Sequence, residues 1–432
     1  MPLTLNDQAV SAGPMMAPSP AASAAPDPAW LLSAQAVRSH SQAMLRRAQQ
    51  GQSRHFSWHL ERLDVVSAYV GDVIRSRYPT LQVPYHSRWR HFEAGGVDRW
   101  AALAASQGLS DTHHRLQRAR ARVDLAVVSV LLDAGAGPAW RYLDAETDQT
   151  LSRSEGLGVA SLRWWQAGGL SSDPHEPWRA DADGLAGVQA TDLAKAFQVS
   201  EDNPLVGLAG RASLLQQLGH ALRVHPGIYS RPDAPDVLRP GHLVDALIRQ
   251  SPTGQVQAAT VLSMLLRTLG QIWPGRHQAG GVPLGDCWPH PDAPQGWLPF
   301  HKLSQWMTYS LLEPLEDAGL QVVGLDQLTG LPEYRNGGLL LDLGLLQARD
   351  RHFHTVHWSA DAEPIVEWRA LTVAALDLVA DQVRHDLGLS AEAFPLARVL
   401  EGGTWAAGRQ IAQAKRPGGP PPVHLSSDGT VF

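Results

Sequence analysis

Four successive residues, Glu333, Tyr334, Arg335 and Asn336, set a carboxylate, a phenol, a guanidinium and an amide side by side, between Pro332 and the pair Gly337-Gly338. Pro332 has its own φ fixed, which limits how the chain enters Glu333. A surface turn needs less chemistry than this. Lys302 and Gln305 on a preceding helical stretch, and Glu367 on a following one, add polar groups among apolar neighbours. Buried charge is costly unless paired. Residue chemistry alone leaves two readings open. One is a set of internal ion pairs, Glu333 with Lys302 and Glu367 with Arg335 or Arg369. The other is a pocket that uses the same groups.

Two further stretches carry reactive side chains. Residues 83–96 have no clean period and bring together Tyr85, His86, Arg88, Trp89, Arg90, His91, Phe92 and Glu93 before Gly95-Gly96. They read either as a binding loop on a rigid scaffold or as an Arg-Glu and aromatic packing cluster. Residues 273–299 are irregular and proline-rich, and hold Asp286, Cys287 and Trp288. Loops of that length are functional or disordered, and the tryptophans argue for order.

Several familiar chemistries are not supported. His352, His354 and His357 have no carboxylate at ligand spacing and read as solvent-exposed loop histidines rather than a metal site. No phosphate-cradling Gly-x-x-x-x-Gly-Lys-Ser/Thr is present, no Gly-x-Gly-x-x-Gly follows a strand, and no Gly-x-Ser-x-Gly occurs. Cys287 stands alone beside Asp286, which disfavours its thiolate and makes it a buried structural thiol. Scattered Lys and Arg with a net charge of −6 exclude a nucleic-acid groove. No apolar run approaches a membrane span, and no secretory signal is visible at the N-terminus. A single cysteine fits a reducing, cytoplasmic setting. Fifteen tryptophans suit ring-lined pockets as well as cores.

The elements that must position these groups are mostly helices. Three- and four-residue apolar spacing predicts helices over about 31–50, 60–73 (Leu60, Leu63, Val66, Tyr69, Val70, Val73), 255–269, 301–312, 365–387 and 396–414. Residues 125–132, apolar on every side, predict a buried helix. Residues 140–143 and 150–153 flank a polar run and predict a hairpin, after which Ser154 could cap the next helix. Glycines 402, 403 and 408 inside the last helix need close packing or ligand approach to compensate for their flexibility. The reading is a mainly α protein: a disordered Ala/Pro-rich segment over 1–28, one large helical domain with a small β-hairpin over 29–415, and a Pro/Gly-rich tail over 416–432.

Residues 86–100, 285–288, 300–306 and 328–338 together resemble the uracil-catabolism family of the Urc/Urg type, long catalogued as a domain of unknown function. The resemblance runs from about residue 30 to Phe432 and implies a step in a pathway that passes through a uracil nucleotide and releases urea. A more distant resemblance is to the queuosine salvage family, N-glycosidases of a nucleoside 5′-monophosphate with a DNA-glycosylase-like helical fold. It is carried by Phe300-His301-Lys302-Leu303-Ser304-Gln305, Leu328-Thr329, Pro332-Glu333-Tyr334-Arg335, Leu343-Gly344-Leu345-Leu346 and Val366-Glu367-Trp368-Arg369, in that family's order. Here Glu333 replaces an Asp, His301 a Tyr, and Asn336-Gly337-Gly338 a Val-Pro-Gln run, so the substrate geometry must differ.

This second resemblance implies hydrolysis of an N-ribosyl bond through an oxocarbenium-like transition state, with Glu333 facing the sugar carbon. Lys302 and Arg335 are then candidates for a 5′-phosphate, and Glu367 for orienting Arg335 or binding ribose hydroxyls. Trp89, Trp288 and Trp306 would wall the leaving group, with Gln305, Tyr334, Asn336 and Asp286 completing the substrate contacts. No metal or other cofactor is required, and the partner expected is a small ribosyl phosphate such as a ribosylurea 5′-phosphate. A non-catalytic nucleotide-binding or pathway-assembly protein is the alternative, and a ring-opening amidohydrolase the third.

Overall fold

The computed structural model describes residues 27–273 and 277–426 and is mainly helical. What the sequence predicts for residues 1–26 and 427–432 therefore lies outside the described residues. Ten helices matter for the site: α1 (Ala34–Gln49), α2 (Leu63–Arg77), α3 (Arg115–Leu131), α4 (Arg153–Gln166), α5 (Leu208–Val224), α6 (Ala258–Leu269), α7 (Lys302–Asp317), α8 (Tyr334–Asp342), α9 (Glu363–Leu387) and α10 (Trp405–Lys415). Helix α9 runs through the core. Ile365, Trp368, Leu371, Leu376, Val379 and Val383 are all buried, so apolar side chains cover it on more than one face. It packs on α1, α2 and α8, while α7 lies against α3 and α6. The run Val123–Leu131 of α3 is buried on every side, as its composition predicts.

The predicted hairpin forms, with Tyr142 opposite Leu151 and Asp144 opposite Gln149. Strands otherwise occur only as short pairs among the described residues. The stretch expected as one helix over 255–269 divides. Gln255–Gln257 pairs in parallel with Gln321–Val323, and the helix starts at Ala258. The reason is local: Val256 is buried between two exposed glutamines, a two-residue period that suits a strand. Leu60, assigned to the apolar face of the second helix, is 55% exposed in a turn before α2 begins. Ser154 is not a cap. It lies in the first turn of α4, and its hydroxyl donates to Asp133 at 3.3 Å.

The described part of 273–299 is ordered, with Cys287–Pro289 paired to Trp297–Pro299. The last predicted helix is interrupted by a π-helical turn, Leu400–Thr404, ahead of α10. Its glycines do permit close approach. A Cβ on Gly403 would stand 2.4 Å from Val70, and one on Gly408 2.1 Å from the Arg335 carbonyl oxygen. The segment after α10 straps back over the body. Arg416 forks onto Asp342 at 2.7 and 2.6 Å, and His424–Leu425 pairs in parallel with His357–Trp358. Among the described residues, no helix is long and apolar enough to cross a membrane.

Candidate functional site

Glu333 is the N-cap of α8. Its extended backbone (φ −106°, ψ 160°) turns the chain, and its carboxylate accepts from the backbone N–H of Arg335 at 2.9 Å and of Asn336 at 2.7 Å. The first N–H groups of a helix have no intrahelical partner, and the positive end of the dipole favours an anion there. Asn336 supports the turn from within, donating from Nδ2 to the Leu331 carbonyl at 3.1 Å. Gly408 lets α10 close against the Arg335 backbone behind it. The carboxylate is therefore held from below by backbone.

In front of it opens a cleft lined by His86, His91, Asp133, Ser154, Lys302, Trp306, Tyr334 and Trp405 as well as Glu333. Lys302 is the first residue of α7, entered through His301 at φ +48°. Burial pushes the Lys302 ammonium down from its ordinary value, and Arg369 adds to this, while Glu333, Asp286 and Asp133 push it back up. Burial likewise pushes the Glu333 carboxyl up, against the two backbone N–H groups, Lys302 and His86. Asp133 is raised by burial against Arg88, whose Nη1 donates to it at 2.5 Å. The Arg88 guanidinium is fully buried and also donates to the Ser129 hydroxyl at 2.6 Å and the Ser154 carbonyl at 3.1 Å.

The two cleft histidines are held differently. Nδ1 of His91 faces Arg88 Nη1 at 3.4 Å and so acts as acceptor. Burial first, and then Arg88, keep that ring well below the usual imidazole range. Nδ1 of His86 instead meets the Glu401 carboxylate at 2.9 Å. Aromatic surface completes the cleft, with His91 edge-on to Trp306 at 5.8 Å between centroids. Two carboxylates, an ammonium, two imidazoles and flat walls suit a polar ligand carrying a planar group. Among the described residues, no three His, Cys, Asp or Glu side chains converge as metal ligands, and His352, His354 and His357 are exposed.

Of the residues named from sequence, Glu333, Lys302, Tyr334 and Trp306 line this cleft together. Others do not. Asp286 sits in a closed knot. Arg369 forks onto it at 2.9 and 2.8 Å, Trp288 Nε1 donates at 2.7 Å and the Lys302 backbone N–H at 2.9 Å. Burial alone would raise Asp286, but Arg369 and these donors outweigh it and hold the carboxyl down at about 2. Asp286 and Trp288 are thus structural partners and not cleft walls. Trp89 is core, donating to the Ser310 carbonyl at 2.9 Å beneath the Arg122 guanidinium. Gln305 stitches α7 to the segment before Glu333, bonding Thr329 through its amide nitrogen at 2.6 Å and its oxygen at 2.9 Å.

Glu367 accepts from the Ser53 hydroxyl at 2.6 Å and the His55 N–H at 3.2 Å, so it orients neither Arg335 nor Arg369. Among the described residues neither expected Glu367–Arg pair forms, since Arg369 forks onto Asp286 and Arg335 is engaged elsewhere. Arg335 points away from Glu333 and donates to the Gly419 carbonyl at 3.0 Å. It lines an adjoining groove under the strap, which shares Tyr334 with the cleft. Asp133, Trp405 and Glu401 escaped the sequence reading. The available signal for Asp133 was a lone carboxylate directly after a wholly apolar helical run.

Comparison with known proteins agrees with the first resemblance. The chain is 38% identical over 418 residues to "Protein urg3" of Schizosaccharomyces pombe, covering 94% of this chain and 98% of that protein. It is 36% identical over 420 residues to "Uracil catabolism protein 4" of Lachancea kluyveri, covering 88% and 93%. Residues 30–432 match the family described as "Protein of unknown function (DUF1688)", and the chain belongs to that family.

Proposed function

We propose that this protein acts in uracil catabolism and hydrolyses the N-glycosidic bond of a ribosylurea 5′-phosphate or a similar nucleoside 5′-phosphate. The pathway is inferred from the names of the two relatives. The observation that carries the reaction is the Glu333 carboxylate, anchored by backbone at the head of α8 and raised by burial in a cleft with Lys302 and aromatic walls. A ribosyl C–N bond breaks through an oxocarbenium-like transition state, and a fixed carboxylate beside the sugar carbon stabilises that charge. Its anchoring is useful because the group need not reorganise as charge develops. Lys302 supplies a cation for a substrate oxyanion, as a compact point charge. The distant likeness to queuosine salvage N-glycosidases supports the same assignment. No metal or cofactor is needed for these steps. The lone buried Cys287 fits a reducing compartment, so the reaction is assigned to the cytoplasm.

A second reading has its own support. Both Glu333 oxygens already accept backbone N–H groups, which is a complete structural role for a cap. On that view the cleft binds a nucleotide without cleaving it, in a pathway-assembly protein. Calorimetry with uracil, UMP and ribosylurea 5′-phosphate, followed by product analysis, separates the two. The proposal expects urea and ribose 5-phosphate from the last compound, and binding with no product sinks it.

A further inference from the structure

We propose that His86 and Glu401 form the dyad that protonates the leaving group, an inference that rests on the glycosidase reading above. His86 is on the cleft wall and Glu401 lies behind it, buried in the π-helical turn Leu400–Thr404. The turn and its glycines create the meeting. Single π turns are frequent at functional sites. A Cβ on Gly402 would stand 3.0 Å from Val83, in the same loop as His86, so glycine lets the loop lie close. The His86 backbone N–H donates to the Ala397 carbonyl at 2.9 Å, which ties that loop to the segment leading into the turn.

Glu401 accepts from Nδ1 at 2.9 Å, and Arg77 holds its other side, with Nη2 3.7 Å from Oε1 and Nη1 donating to its carbonyl at 2.9 Å. A carboxylate on Nδ1 fixes both ring orientation and tautomer, leaving Nε2 as the working atom. Nε2 of His86 has no protein partner among the described residues. Two neighbouring groups are already engaged. His91 is turned to Arg88 as an acceptor, and Asp133 is bound by Arg88 and Ser154. The charged and titratable groups around His86 are Glu401, Arg77, His91 and Glu333, with Lys302, Asp133 and Tyr334 on the same wall.

The C1′–N bond breaks and its electron pair leaves on nitrogen, which takes the proton from His86 Nε2. Water adds its oxygen to C1′ and passes its proton to the Glu333 carboxylate. Solvent then returns His86 to its protonated form and Glu333 to its ionised form.

A leaving group that needs no proton tests this. His86→Asn, Glu401→Gln and Glu333→Gln are compared with wild type on ribosylurea 5′-phosphate and on 4-nitrophenyl riboside 5′-phosphate, with folding checked by circular dichroism. His86→Asn should lower kcat on the ureide by about 10²-fold or more while changing the nitrophenyl substrate by a few-fold at most. Glu401→Gln should lower kcat on the ureide with KM unchanged, whereas Glu333→Gln should lose both substrates. Equal loss on both substrates in His86→Asn, or no loss on either, overturns the dyad alone. Wild-type protein that cleaves neither substrate overturns the glycosidase reading, and the dyad's role with it.

Discussion

Asp286 and Glu333 are both carboxylates at the head of a helix, and the contrast between them separates structure from chemistry. Asp286 accepts the first backbone N–H of α7 and Glu333 the second and third of α8, those of Arg335 and Asn336. At Asp286 the remaining capacity is filled by the Arg369 fork and the Trp288 indole, and the group is held down at about 2. At Glu333 no guanidinium pairs with the carboxylate among the described residues, the group borders a cleft, and burial moves it the other way. A saturated anion is a fastener. An anion whose open side faces a cavity, with an ammonium nearby, is available to a ligand.

The largest expected effect is on the fastener. Arg369→Ala leaves Asp286 buried without its fork and should cost about 3–5 kcal/mol by urea denaturation. A loss below about 1 kcal/mol would break the distinction. Next is the cap: Glu333→Ala removes two acceptors from the head of α8 and should cost about 0.5–2 kcal/mol.

The pH dependence sharpens the same contrast, because the two shifts have opposite signs. Asp286 is depressed when folded, so its stabilisation of about 2–3 kcal/mol is present above the unfolded value near 4 and lost as pH falls toward about 2. Glu333 is raised, so wild-type protein binds more protons folded than unfolded and loses stability as pH rises through the folded value. Measured against wild type, Asp286→Asn should therefore become relatively less stable with rising pH and Glu333→Gln relatively more stable. Curves with a common sign would contradict the assignment. The smallest effect belongs to Glu367→Gln, which should leave ligand affinity in calorimetry unchanged, since that carboxylate serves Ser53 and His55.

Much of this was legible in the sequence for a physical reason. Helical period fixes which side of α2 is buried, continuous apolar composition marks α3 and α9 as core, and the Leu-Pro-Glu-Tyr-Arg order puts a carboxylate where α8 needs a cap. Lys302 and Trp306 fall in the cleft because they share one end of α7 with the residues that stitch it to 328–330. What sequence could not supply was partner choice. Glu367 was open to Arg335 or Arg369 by residue type, and only the path of 273–299 brings Asp286 to Arg369 instead. Trp89 and Trp306 are equally flat and apolar as residue types. Trp89 is enclosed by Phe92, Trp100 and Arg122, and Trp306 reaches the cleft. Asp133 and Glu401 depend on contacts across large sequence separations, to Arg88 and His86, which no local pattern encodes.

The most direct test is incubation of ribosylurea 5′-phosphate with wild-type protein and with Glu333→Gln, followed by NMR of the products. The account predicts urea and ribose 5-phosphate from the wild type, and none from the variant although it still binds the compound. Equal turnover by the variant, or binding without turnover by the wild type, would contradict it.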